Sequence, residues 1–114
     1  MPAKSQTLAA AFERFVELVK PIEDVQYAAA FEPRRPDIYT YIKKRDEDVS
    51  KQIYRAEDVI ADEFPDLLIE FHVRWLEGRS IEEFVGSAPP LFFARDGLPA
   101  PSGRTPLPRG AKEK

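Results

Sequence analysis

Asp37-Ile38-Tyr39-Thr40-Tyr41-Ile42-Lys43 is the stretch on which the fold turns. Its run of β-branched and aromatic residues, Ile38 to Ile42, fits a pleated strand better than a helix. Successive side chains of a strand point to opposite faces, so Ile38, Thr40 and Ile42 turn one way and Asp37, Tyr39 and Tyr41 the other. Immediately upstream, Glu32-Pro33-Arg34-Arg35-Pro36 carries two prolines that cannot donate to a ladder, which makes it a turn. Before that turn, over residues 24–32, Val25, Tyr27, Ala29 and Phe31 alternate with Gln26, Ala28, Ala30 and Glu32. This is a strand whose first set is expected on the core and whose Gln26 and Glu32 are expected on the outer face. Two strands joined by a short turn form an antiparallel hairpin.

Helical patterns flank the hairpin. Over residues 5–20, Leu8, Phe12, Phe15 and Val19 recur at helical spacing; Ser5 or Thr7 can cap the start, and Pro21 ends the run. Over residues 46–64, Val49, Ile53, Ala56, Ile60 and Phe64 form one stripe, Asp46, Glu47 and Asp48 suit the positive end of the dipole, and Pro65 closes the helix. In 67–74, Leu67, Ile69, Phe71 and Val73 alternate with Leu68, Glu70, His72 and Arg74, giving a third strand. Ser80-Ile81-Glu82-Glu83 reads as a capping box opening a short helix. The order α-β-β-α-β-α predicts an α+β or α/β fold: a three-stranded mixed sheet with two helices on one face. The second helix is the crossover if the second and third strands run parallel.

The composition then changes. Residues 86–114 hold six of the 11 prolines and four of the five glycines, so a domain over 1–85 followed by a flexible, disordered tail over 86–114 is expected. The exception is the apolar segment 91–95, Leu91-Phe92-Phe93-Ala94-Arg95, which can fold back or dock on a partner. Residues 1–90 carry 12 basic and 18 acidic side chains, while the remainder is basic; with a net charge of −3, nucleic acid is an unfavoured partner. The absence of cysteine excludes disulfides and thiolate metal sites. No stretch approaches the ~18 apolar residues of a membrane span, so a cytoplasmic protein is expected.

No glycine-rich phosphate loop, GxSxG or HExxH motif is present, and a lone histidine makes a structural zinc site a poor fit. The chemistry-bearing residues gather by strand parity on the sheet face away from the helices: Asp37, Tyr39, Tyr41, Glu70, His72 and Arg74. Tyrosine and arginine are favoured interface anchors. Tyr39, Tyr41, His72 and Arg74, with Phe92 and Phe93 of the tail, are therefore the expected partner-binding residues. A homodimer through that face, or through the edge of the first strand, is one form this can take. Asp37, Glu70 and His72 are the candidates if the face is catalytic.

The stretch Phe31-Glu32-Pro33-Arg34-Arg35-Pro36-Asp37-Ile38-Tyr39, with the order of elements over roughly residues 8–75, resembles the minimal nucleotidyltransferase domains of prokaryotic toxin–antitoxin pairs. The resemblance implies a strand with an Asp-x-Asp pair, a third carboxylate on a later strand, and two magnesium ions held between them. Asp37 matches the first acid and Glu70 the third, but Tyr39 stands at the second. Glu32-Pro33 stands near the place of the family's Gly-Ser turn, which is absent, as is the helix that follows it. A non-catalytic derivative is what these departures imply. The segment from Ile53 to Val73 also resembles small bacterial proteins. The expectation is an interaction or accessory module with no cofactor and no metal. The competing expectation is a metal-dependent nucleotidyl-transfer-like enzyme or hydrolase using Asp37, Glu70 and His72.

Overall fold

In the computed structural model of the chain, residues 7–31, 36–86, 89 and 91–99 are described. Helix α1 spans Leu8–Val19, and Thr7 caps it by accepting a hydrogen bond from the Ala10 amide at 3.1 Å. Strands β1 (Val25–Phe31) and β2 (Asp37–Ile42) pair antiparallel; the expected turn residues 32–35 lie outside the described residues. Helix α2 spans Glu47–Glu63, with the Asp46 carboxylate accepting from the Val49 amide at 3.1 Å and Glu47 and Asp48 in the first turn. Strand β3 (Glu70–Trp75), helix α3 (Glu82–Val85) and strand β4 (Leu91–Ala94) follow.

Among the described residues the sheet has four strands, not three, in the order β3-β2-β1-β4. β2 and β3 are parallel, with α2 as their connection, and β4 lies antiparallel to β1. The fourth strand comes from beyond residue 85: the apolar segment folds back on the sheet. Arg95 fastens it. Its guanidinium donates to the carbonyls of Val25 at 2.8 Å, Ile22 at 2.8 Å and Lys20 at 3.0 Å, straddling the turn between α1 and β1. The first strand is therefore interior and has no free edge.

Both long helices lie on one face, as the stripes predict. Phe12, Phe15 and Val19 of α1 and Val49, Ile53 and Ile60 of α2 share a core with Ile38 and Ile42, against which Phe71 and Val73 pack. The Arg14 guanidinium grips Glu63 at both carboxylate oxygens, 3.1 and 3.3 Å, joining the two helices.

Three further expectations are corrected. First, the outward and inward sets of β1 are reversed past its first residue. Val25 lies in the helix-side core, whereas Tyr27, Ala29 and Phe31 face the other way and Ala28 and Ala30 face the helices. A register shift between Val25 and Tyr27 is the cause: one extra residue flips every later side chain. The alanine run suits a strand covered on both faces. Ala29 lies between Tyr39 and Phe92, and Ala28 between Thr40 and Phe93, so the neighbours supply the volume. Second, β3 begins at Glu70 rather than at residue 67, because Leu68 has a φ of 53° and interrupts the extended run. Third, Ser80 does not build a capping box; Ile81 precedes α3 and no side chain caps it.

Candidate functional site

The second face of the sheet is not uniformly open. After β3 the chain turns under it, and Leu76 and Ile81, both buried, cluster with Tyr27, Ala29 and Tyr41; Phe84, Phe92 and Leu98 pack against this group. The Tyr27 hydroxyl donates to the Pro99 carbonyl at 2.6 Å, and its ring stacks on Phe92 at 5.8 Å. Tyr41, expected as an exposed anchor, is 2% exposed and meets Phe84 edge-on at 5.5 Å. Burial pushes its phenol up to about 12, so it holds its proton at neutral pH. Phe92 and Phe93, the other expected anchors, are half-buried strand residues on opposite faces of β4.

What stays open is the half of that face built by β2 and β3. The parallel register sets Asp37 beside Glu70, Tyr39 beside His72 and Tyr41 beside Arg74, so the residues expected to gather do gather. The His72 Nε2 and an Asp37 oxygen lie 3.2 Å apart, both side chains partly exposed. The imidazole stacks on the Tyr39 ring at 4.3 Å, and the Arg74 guanidinium lies 5.3 Å from the same ring centre. Phe31 meets Tyr39 edge-on at 5.6 Å. Tyr39 is thus held on three sides, and the Asp37, Tyr39, His72 and Arg74 side chains form one continuous strip.

One ligand atom from each of Asp37, Glu70 and His72 falls within 4.8 Å of the others, close enough for one divalent cation. The donor set does not fit the two-magnesium arrangement that the family resemblance implies. Tyr39 stands where the second acid is required, and its ring is occupied against His72. An imidazole is also a ligand for softer ions than magnesium.

β3 is itself an edge of the sheet. The Glu70 amide donates to Pro36 and the Leu76 amide to Ile42, so the two-residue alternation spends the even-numbered amides on β2. The N–H and C=O groups of Phe71, Val73 and Trp75 consequently point away from the sheet. Arg79 takes the Trp75 carbonyl at 3.0 Å, and Arg74 makes a long 3.4 Å contact with that of Val73. Among the described residues no other strand covers this edge. The three exposed large apolar residues belong to the same region. Leu68 (80% exposed) and Trp75 (37%) bracket β3, and Tyr54 (51%) shares a cleft of about 320 Å³ with Trp75, Ser50, Lys51 and Arg45. Arg45 lies over the Trp75 ring at 5.5 Å.

Strand parity alone found the β2–β3 strip. It missed the cover over Tyr41, whose signal was the apolar trio Leu76, Ile81 and Phe84 just after the third strand. It also missed the edge, because strand order cannot be read from alternation. No helix among the described residues is long and apolar enough to cross a membrane. Set against models of protein families, curated proteins and solved structures, the chain matches none of them.

Proposed function

We propose that this protein is a small, non-catalytic interaction module that takes a polypeptide along the edge of β3, with Tyr39, His72 and Arg74 as the side-chain anchors beside it. One observation carries this reading. An edge strand with outward backbone groups at Phe71 and Val73 is bracketed by the three large apolar side chains that the described surface leaves in water. Proteins ordinarily blunt such edges with proline, a bulge or a covering loop. Among the described residues, blunting is confined to the carbonyls of Val73 and Trp75. Strand addition draws its affinity from the backbone and its selectivity from alternate side chains, which is what a strip of Tyr39, His72 and Arg74 supplies.

A photo-crosslinking amino acid at position 68, beside the β3 edge, tests this in the native host, with the exposed helix position Glu13 as the control. Adducts with a polypeptide from 68 and none from 13 are expected. Equal labelling from the two positions removes the reading.

The convergence of Asp37, Glu70 and His72 favours a second reading, a single divalent cation serving a hydrolase or a nucleotidyl-transfer-like enzyme. Titration calorimetry with manganese, then with nucleoside triphosphate, distinguishes the two. The enzyme reading expects heat that disappears in Asp37→Asn, and the interaction reading expects none.

A further inference from the structure

We infer that the polypeptide taken up at the β3 edge is a second copy of this chain, paired antiparallel about a two-fold axis through His72. This rests on the docking reading above and names its occupant. The β3 edge is self-complementary in one register. With His72 opposite its own symmetry mate, Glu70 faces Arg74 of the other copy, and the pair occurs twice. Phe71 then faces Val73 on the helix side, so apolar meets apolar while charge meets charge on the outer face.

The backbone agrees with the same register. Phe71 and Val73 are the residues whose N–H and C=O groups point outward, and opposite each other they exchange ~4 hydrogen bonds across the axis. His72 and its mate form the close, non-hydrogen-bonded pair between them. The two-fold also carries the Leu68 end of one strand to the Trp75 end of the other, bringing together the exposed apolar groups that bracket each edge. Shifted by one pair in either direction, the match is lost: Arg74 faces Leu68 in one case and His72 in the other. The Val73 carbonyl exchanges its long contact with Arg74 for an amide, which frees Arg74 for Glu70.

Sedimentation equilibrium of the full chain tests this. The wild type is expected to dimerise reversibly. Glu70→Arg and Arg74→Glu each place like charges opposite one another twice and are expected to weaken the dimer about tenfold or more. An equimolar mixture of those two variants restores opposite charges at both positions and is expected to recover association. Circular dichroism confirms that each variant is folded. As a second readout, His72→Cys in this cysteine-free chain is expected to oxidise to a covalent dimer, since paired Cα atoms at ~4.5 Å suit a disulfide. A monomeric wild type, or variants that do not complement, overturns the proposal. If the wild type is monomeric while position 68 still crosslinks to a different polypeptide, the docking reading stands and the second copy is ruled out as occupant.

Discussion

Arg95→Ala should unfold the outer layer first and lower the stability of the whole domain. The guanidinium donates three charge-assisted hydrogen bonds to backbone carbonyls, two of them in partly buried positions at 2.8 Å and the third, to Lys20, exposed at 3.0 Å. A bond to a charged group is worth ~1.5 kcal/mol at the low end of its range, and the exposed one is replaced by water at little cost, so the loss is about 3 kcal/mol. For a domain of this size that corresponds to a fall in melting temperature of roughly 12 °C or more. Arg95→Lys keeps the charge but loses the planar fork that spans three carbonyls, so most of the loss should persist. Urea denaturation followed by circular dichroism gives the free energies. Amide exchange shows where protection is lost, and β4 should open before β2. If Arg95→Ala lies within ~0.5 kcal/mol of wild type, or Arg95→Lys is as stable as wild type, the clamp does not hold the strand. β4 would then be held to the sheet by its ladder and Phe92 packing rather than by Arg95.

Two further perturbations test the interior. Burial, with Asp58 alongside, pushes the Glu57 carboxyl up to about 7 from its ordinary 4.5. The folded state therefore disfavours its charged form, and the protein is fully stable with respect to this group below pH 4.5 and loses stability as pH rises through about 7. Glu57→Gln should accordingly be more stable than wild type by about 1 kcal/mol at pH 8, discounted because solvent reaches the side chain, and equal to it at pH 4. Thermal melts at the two values check the sign, and a variant less stable at pH 8 refutes it. The Thr40 hydroxyl is fully buried with no hydrogen-bond partner among the described residues. Thr40→Val should raise stability by ~1 kcal/mol in urea titrations, and a destabilised variant would mean the hydroxyl has a partner after all.

Much of this could be read from residue order. Ile38, Thr40 and Ile42 set one face of β2 and Asp37, Tyr39 and Tyr41 the other, and the two faces of the third strand were legible in Phe71 and Val73 against His72 and Arg74, while its parallel pairing with β2 came from the structure. Two features were hidden for definite reasons. A bulge costs one residue and leaves the alternation of Val25, Tyr27, Ala29 and Phe31 looking intact while turning it over. The fourth strand sits among prolines and glycines, and what orders it is Arg95 reaching carbonyls 70 to 75 positions earlier in the chain, a contact no local pattern encodes. The segment after β3, through Leu76, Ile81 and Phe84, buries Tyr41 and leaves Tyr39 and His72 partly exposed, although all three belong to one sheet face.

The central claim is that Phe71 and Val73 present an open backbone edge that another strand fills. Amide exchange measured residue by residue along β3, at low and at high protein concentration, addresses it directly. In dilute protein the Phe71 and Val73 amides should exchange fast while the amides of Glu70 and His72 are protected; on concentrating the protein, Phe71 and Val73 should become protected too. Protection of Phe71 and Val73 equal to that of His72 in dilute protein would contradict the open edge, and fast exchange at every concentration would contradict a second copy as the strand that fills it.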